Sequence, residues 1–178
     1  MTTKYTGWEK LIHGGLAAFG IFAYLTAEGA EGDRASFGYL LHAYLGFTVA
    51  AFVLARLLSG TVGRKEMRFA YWWPFRAAAL QRVLQDLRSL IRLRLPERNM
   101  HEGIAGLLQL FGLALFGWMS ATGIALYFFA GAVGEAAEEA HEIGEALIPA
   151  FLAAHVGAVI VHSLFGAPVW RRMLTRGG

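Results

Sequence analysis

His13, His42, His141 and His155 are the side chains most able to do chemistry in this chain, because each lies in or opens an apolar stretch of membrane-spanning length. Neutral imidazole offers one ring nitrogen to a metal and the other to a hydrogen bond, and it titrates near neutral pH. A single histidine in a membrane helix is explained as readily by an interhelical hydrogen bond. Four at matched depths are harder to explain that way. His141 and His155 are 14 residues apart, which advances a helix by roughly 21 Å and returns it to within about 40° of the same face. One helix would then present two imidazoles to the same interior, one towards each leaflet. Two imidazoles per iron fill both axial positions of a haem and leave no open site, an arrangement suited to electron transfer rather than oxygen binding. Depth pairs His42 with His141 on one iron and His13 with His155 on a second.

Two histidines remain. His162 is seven residues beyond His155 and about 20° round the helix. Pairing it with His141 would set the irons roughly 32 Å apart, too far for efficient transfer, so it is expected to touch a propionate or a quinone instead. His101, in Asn99-Met100-His101-Glu102, opens an apolar run and is expected at the interface, solvated or lining a quinone site. Arg56 completes the set of charged residues expected near that end.

The elements that must carry these residues follow from composition. Of the 178 residues 56% are hydrophobic and only 16% charged, and the mean hydropathy is +0.45, a membrane composition. The absence of cysteine excludes disulfides, iron–sulfur clusters and covalently attached haem. The first apolar run has no clear small-residue cleavage site, so it is read as a span rather than a signal. Four spans are expected, near 8–27, 37–58, 103–130 and 143–169, each about the 20 residues a bilayer requires. The last is expected to extend backwards through Glu138 and His141. Lys4, Lys10, the ten basic residues from Arg56 to Arg98, and Arg171, Arg172 and Arg176 fall on one side, and only Arg34 on the other. The positive-inside rule then places both termini in the cytoplasm. Basic residues flanking spans are explained by topology, so no nucleic-acid partner is expected.

The opposite face carries Glu28, Glu31, Asp33, Glu135, Glu138, Glu139, Glu142 and Glu145. This is either a solvated rim or a docking face for a basic periplasmic partner. Between the second and third spans, Leu80, Val83, Leu84, Leu87, Leu90 and Ile91 recur at helical spacing, with Arg82, Asp86, Arg88 and Arg92 on the other arc. An amphipathic helix over about 75–95 is expected there, anchored by Tyr71, Trp72, Trp73 and Pro74. It either lies on lipid or packs beneath the bundle. The fold class is therefore all-α: one membrane domain over 1–178, a four-helix bundle with an interfacial helix.

The segments KYTGWEKLIHGG, LLHAYLGFTVAAFVLARLL and HEIGEALIPAFLAAHVGAVIVH, with the loop RFAYWWPFRAAALQRVLQDLRSLIRLRLPERN, resemble those of the bacterial cytochrome b561 and hydrogenase-type cytochrome b family. The resemblance implies a multi-pass protein of the bacterial inner membrane with two haem b groups, ligated from the first, second and fourth helices. Those positions are His13, His42, His141 and His155 here. It also implies exchange of electrons between the quinone pool and a membrane or periplasmic redox partner, with no catalytic residue of the chain's own. The segment NMHEG departs from the HNP-type sequence of many hydrogenase-linked members. A second function implied by a short branch of the family is superoxide:quinone oxidoreduction. The acidic face would repel that anion. A histidine-based proton or metal transporter is a third reading, and the lack of acidic residues within the spans argues against it.

Overall fold

A computed structural model describes residues 5–65, 67–92, 94 and 103–165. Every regular element among them is helical: α1 (Gly7–Leu25), a short 3-10 turn (Glu28–Ala30), α2 (Phe37–Val62), α3 (Phe69–Trp72), α4 (Ala77–Ile91), α5 (Ile104–Phe128) and α6 (Ala132–Phe165). The long helices α1, α2, α5 and α6 occupy the four expected positions. Three of them, α2, α5 and α6, are apolar and long enough to cross a membrane. α1 is shorter, at 19 residues, and Glu9, Lys10 and His13 in its first two turns dilute its apolar character.

Two boundaries differ from expectation. α2 continues four residues past Leu58. α6 begins at Ala132, well before the expected start. The cause is chemical: Glu135, Ala136, Ala137, Glu138, Glu139 and Ala140 are too polar to read as a span, yet glutamate and alanine are strong helix formers. At 34 residues, α6 is about 51 Å long, well beyond the roughly 30 Å of a hydrocarbon core. Gly131, with φ of +62°, makes the left-handed step that lets α5 and α6 follow each other after three residues.

The chain forms two compact units: residues 5–56 with 114–150, and residues 57–113 with 151–165 of the described chain. α2, α5 and α6 contribute to both. In the first unit the helices approach through glycine. Gly15 of α1 lies against the Phe52 ring of α2, and Gly20 against Phe116 of α5. Gly144 of α6 lies against Met119 and Trp118 of α5. Small residues of this kind let backbones close up, which is where membrane helices gain their packing energy. Phe19 stacks on Phe52 at 5.9 Å, and Trp118 Nε1 donates to the Ala140 carbonyl at 2.7 Å.

In the second unit, Phe111 of α5 packs against Phe151 of α6 at 6.0 Å, and Gly60 of α2 accommodates the Phe69 ring of α3. α4 is tied to α5 by a buried carboxylate. Asp86, 3% exposed, accepts from the backbone N–H of Ile104 at 3.1 Å, satisfying one of the unpaired donors at the start of that helix. Gly103, at φ +62°, makes room for it, since a Cβ there would collide with the Asp86 carboxylate. Asp86 was expected on the solvated arc of the amphipathic helix, and the structure turns it to the protein. Trp72 and Pro74 are likewise buried rather than part of an interfacial anchor, while Tyr71 and Trp73 are exposed.

Candidate functional site

His42 and His141 meet within the first unit. Their ring centres are 6.2 Å apart with planes at 81°. His42 Nδ1 lies 3.0 Å from the carbonyl of Ala23 in α1. A carbonyl only accepts, so Nδ1 carries the proton and Nε2 keeps a lone pair. His141 Nδ1 lies 2.8 Å from Thr122 Oγ1 in α5. That hydroxyl also lies 2.9 Å from the carbonyl of Trp118 and 3.3 Å from that of Met119, so it can donate to either and accept from His141 Nδ1–H. Both rings are thereby held through Nδ1, and with the proton on that atom Nε2 is the nitrogen able to take a metal. A ligating histidine usually makes this second hydrogen bond, which orients the ring and raises its basicity.

The pair fits a haem. Ring centres 6.2 Å apart would leave room for one metal ion between two imidazole nitrogens, each about 2 Å from it. Among the described residues no three His, Cys, Asp or Glu side chains gather to form an all-protein metal site, so the two nitrogens would suit an iron held in a macrocycle. Gly123 leaves room for the His141 ring, since a Cβ there would come 3.3 Å from Cε1. One helical turn past His42, a Cβ on Gly46 would meet nothing within 4 Å. Gly14 and Gly157 likewise have open space beside them, whereas Gly15 is filled by Phe52.

The other expected residues are distributed as follows. His13 is exposed on α1 in the first unit, and His155 is half-buried on α6 in the second. The His155 ring stacks on Phe151 at 5.6 Å and 21°. His162 is half-buried in the last turn of α6. Arg56 is 8% exposed and Glu9 7%, and the two charges interact. Glu9 also closes a capping box, its Oε2 accepting from Thr6 N at 2.6 Å and its own N–H pointing to Thr6 Oγ1 at 3.3 Å. His101 lies outside the described residues.

Thr122, the Ala23 carbonyl and Glu9 were not anticipated. Thr122 had a legible signal: in a helical hairpin turning at Gly131, it and His141 stand nine and ten residues from the turn, which sets them side by side. The seven acidic residues Glu28, Glu31, Asp33, Glu135, Glu138, Glu139 and Glu142 are all exposed and belong to the same unit as the His42–His141 pair.

Residues 4–176 match the family described as prokaryotic cytochrome b561. No curated protein and no solved structure gives a match. An all-helical chain with membrane-length apolar helices, matched over nearly its whole length, belongs to the prokaryotic cytochrome b561 family, whose members are membrane b-type cytochromes of electron transfer.

Proposed function

We propose that the chain is a dihaem b-type cytochrome of the bacterial inner membrane, passing electrons between a periplasmic or membrane partner and the quinone pool. The observation that carries this reading is the His42–His141 pair, in which both Nδ1 atoms are hydrogen-bonded and both Nε2 atoms are left for iron. A second iron is assigned to His13 and His155 from their sequence positions within the first and fourth expected spans. α1 is the fourth span in this reading, and the distribution of basic residues supports cytoplasmic termini.

Haem iron, when bound, supplies a one-electron carrier that cycles between ferric and ferrous states. The chain's own residues set what that carrier can do. His42 and His141 would hold the haem with two imidazoles, a donor set suited to electron transfer rather than oxygen binding. The Ala23 carbonyl holds His42 in its ligating tautomer, and the Thr122 hydroxyl orients the His141 ring through Nδ1. Exposed glutamates around the same unit favour approach of a basic partner. Arg56 offsets the charge of Glu9, a buried carboxylate that would otherwise be costly. With His162 and His101 it is a candidate for a hydrogen bond to a quinone head group at the cytoplasmic side.

Reduction of the purified protein by a quinol in reconstituted vesicles tests the reading. The expected result is a b-type reduced-minus-oxidised spectrum, with reduction slowed in His162→Ala while the haem content is retained. Reduction by superoxide faster than by quinol, despite the acidic rim, would instead make the chain a superoxide:quinone oxidoreductase.

A further inference from the structure

α4 divides into three sectors rather than two. At about 100° per residue, Ala79, Arg82, Val83, Asp86 and Ser89 share one arc, and these are the buried or half-buried positions of the helix. Leu80, Leu84, Leu87 and Ile91 form a second arc, 53%, 48%, 49% and 75% exposed. Gln81, Gln85, Arg88 and Arg92 form a third, also exposed. The polar side, through Asp86, holds the protein, and the leucine stripe faces away from it. This excludes the arrangement in which the stripe packs under the helices of its own unit.

Two observations identify what covers the stripe. Asp86 hydrogen-bonds to Ile104, the first residue of a membrane-length helix, so α4 is tied at the level where that helix starts. Its surroundings are strongly basic. Arg64, Lys65, Arg68, Arg76, Arg88 and Arg92 are exposed, and in residues 57–113 Asp86 is the one acidic side chain among the described residues. Tyr71, Trp73 and Phe75 are exposed beside them, with Lys65 Nζ 4.6 Å from the Tyr71 ring centre. An apolar stripe rimmed by arginines and aromatic rings is complementary to acyl chains beneath anionic head groups.

We propose that α4 is a docking surface for anionic phospholipid in the leaflet where α5 begins, with the leucine stripe in the acyl region and Arg88 and Arg92 on the head groups. The proposal is independent of the haem assignment. The chain has no cysteine, so Leu84→Cys and Gln85→Cys each give a single labelling site on the full-length protein. Each variant is labelled with bimane and reconstituted in vesicles containing brominated phosphatidylglycerol or brominated phosphatidylcholine at the same mole fraction, with helicity checked by circular dichroism. The label at 84 should be quenched by both lipids, and several-fold more by the anionic one. The label at 85 should respond mainly to aqueous iodide. Adding Arg88→Gln and Arg92→Gln to Leu84→Cys should equalise the two lipids. Quenching at 84 by iodide, or by neither agent, would overturn the docking surface, and equal quenching before the arginine changes would overturn its anionic selectivity.

Discussion

The two units of this chain hold their histidines in different ways. In the unit of residues 5–56 and 114–150, His42 and His141 are gripped by neighbouring helices through hydrogen bonds, and the exposed surface is acidic. In the unit of residues 57–113 and 151–165, His155 is supported by a stacked phenyl ring, and the exposed surface is basic. A hydrogen bond to Nδ1 orients a ring and tunes its basicity, and the stacked Phe151 ring sets the plane of His155. The first unit is thus organised around ligand geometry. The second is organised around attachment, with the buried carboxylate of Asp86 tying α4 to α5.

Substitutions can break this contrast in order of expected size. Gly144→Leu forces a side chain into Met119 and Trp118 and should cost about 1–3 kcal/mol, whereas Gly157→Ala, with open space around it, should leave the fold of the haem-free chain intact. Thermal unfolding in detergent compares them. Thr122→Val removes the hydroxyl hydrogen-bonded to His141 Nδ1, and haem affinity should fall about 10–100-fold. Thr122→Ser should restore most of it. Competition with a haem-binding apoprotein measures both. Asp86→Ala strips the cap from α5 and should destabilise by about 1 kcal/mol, without altering the absorption of haem ligated by His42 and His141. A smaller effect is expected from neutralising Glu138, Glu139 and Glu142 to Gln. Reduction by a basic periplasmic cytochrome should lose its dependence on ionic strength, with the spectrum unchanged.

Helix positions were readable in the chain because apolar runs of bilayer length admit few alternatives. The start of α6 was not, since glutamate lowers hydropathy while favouring helix. α4 shows a second limit. Helical periodicity separates leucines from polar residues, yet it cannot say that Asp86 and Arg82 turn inward while Arg88 and Arg92 turn outward. That choice depends on the open N-terminus of α5, which only the folded chain brings alongside. The four histidines stood out because charge and polarity are costly at those depths. Thr122 did not, because a hydroxyl in a membrane helix ordinarily bonds its own backbone, as this one also does. Gly15 and Gly46 look alike in sequence. One meets Phe52 and the other meets open space, a difference set by the neighbouring helix.

The central claim is that paired histidines hold iron, His42 with His141 and His13 with His155. Haem per chain, measured on the purified protein by pyridine haemochrome absorbance, tests it most directly. Two haems should be present in the unaltered chain, one in His141→Ala and one in His155→Ala, with His162→Ala retaining both. A single haem in the unaltered chain, or two in His141→Ala, would contradict the assignment.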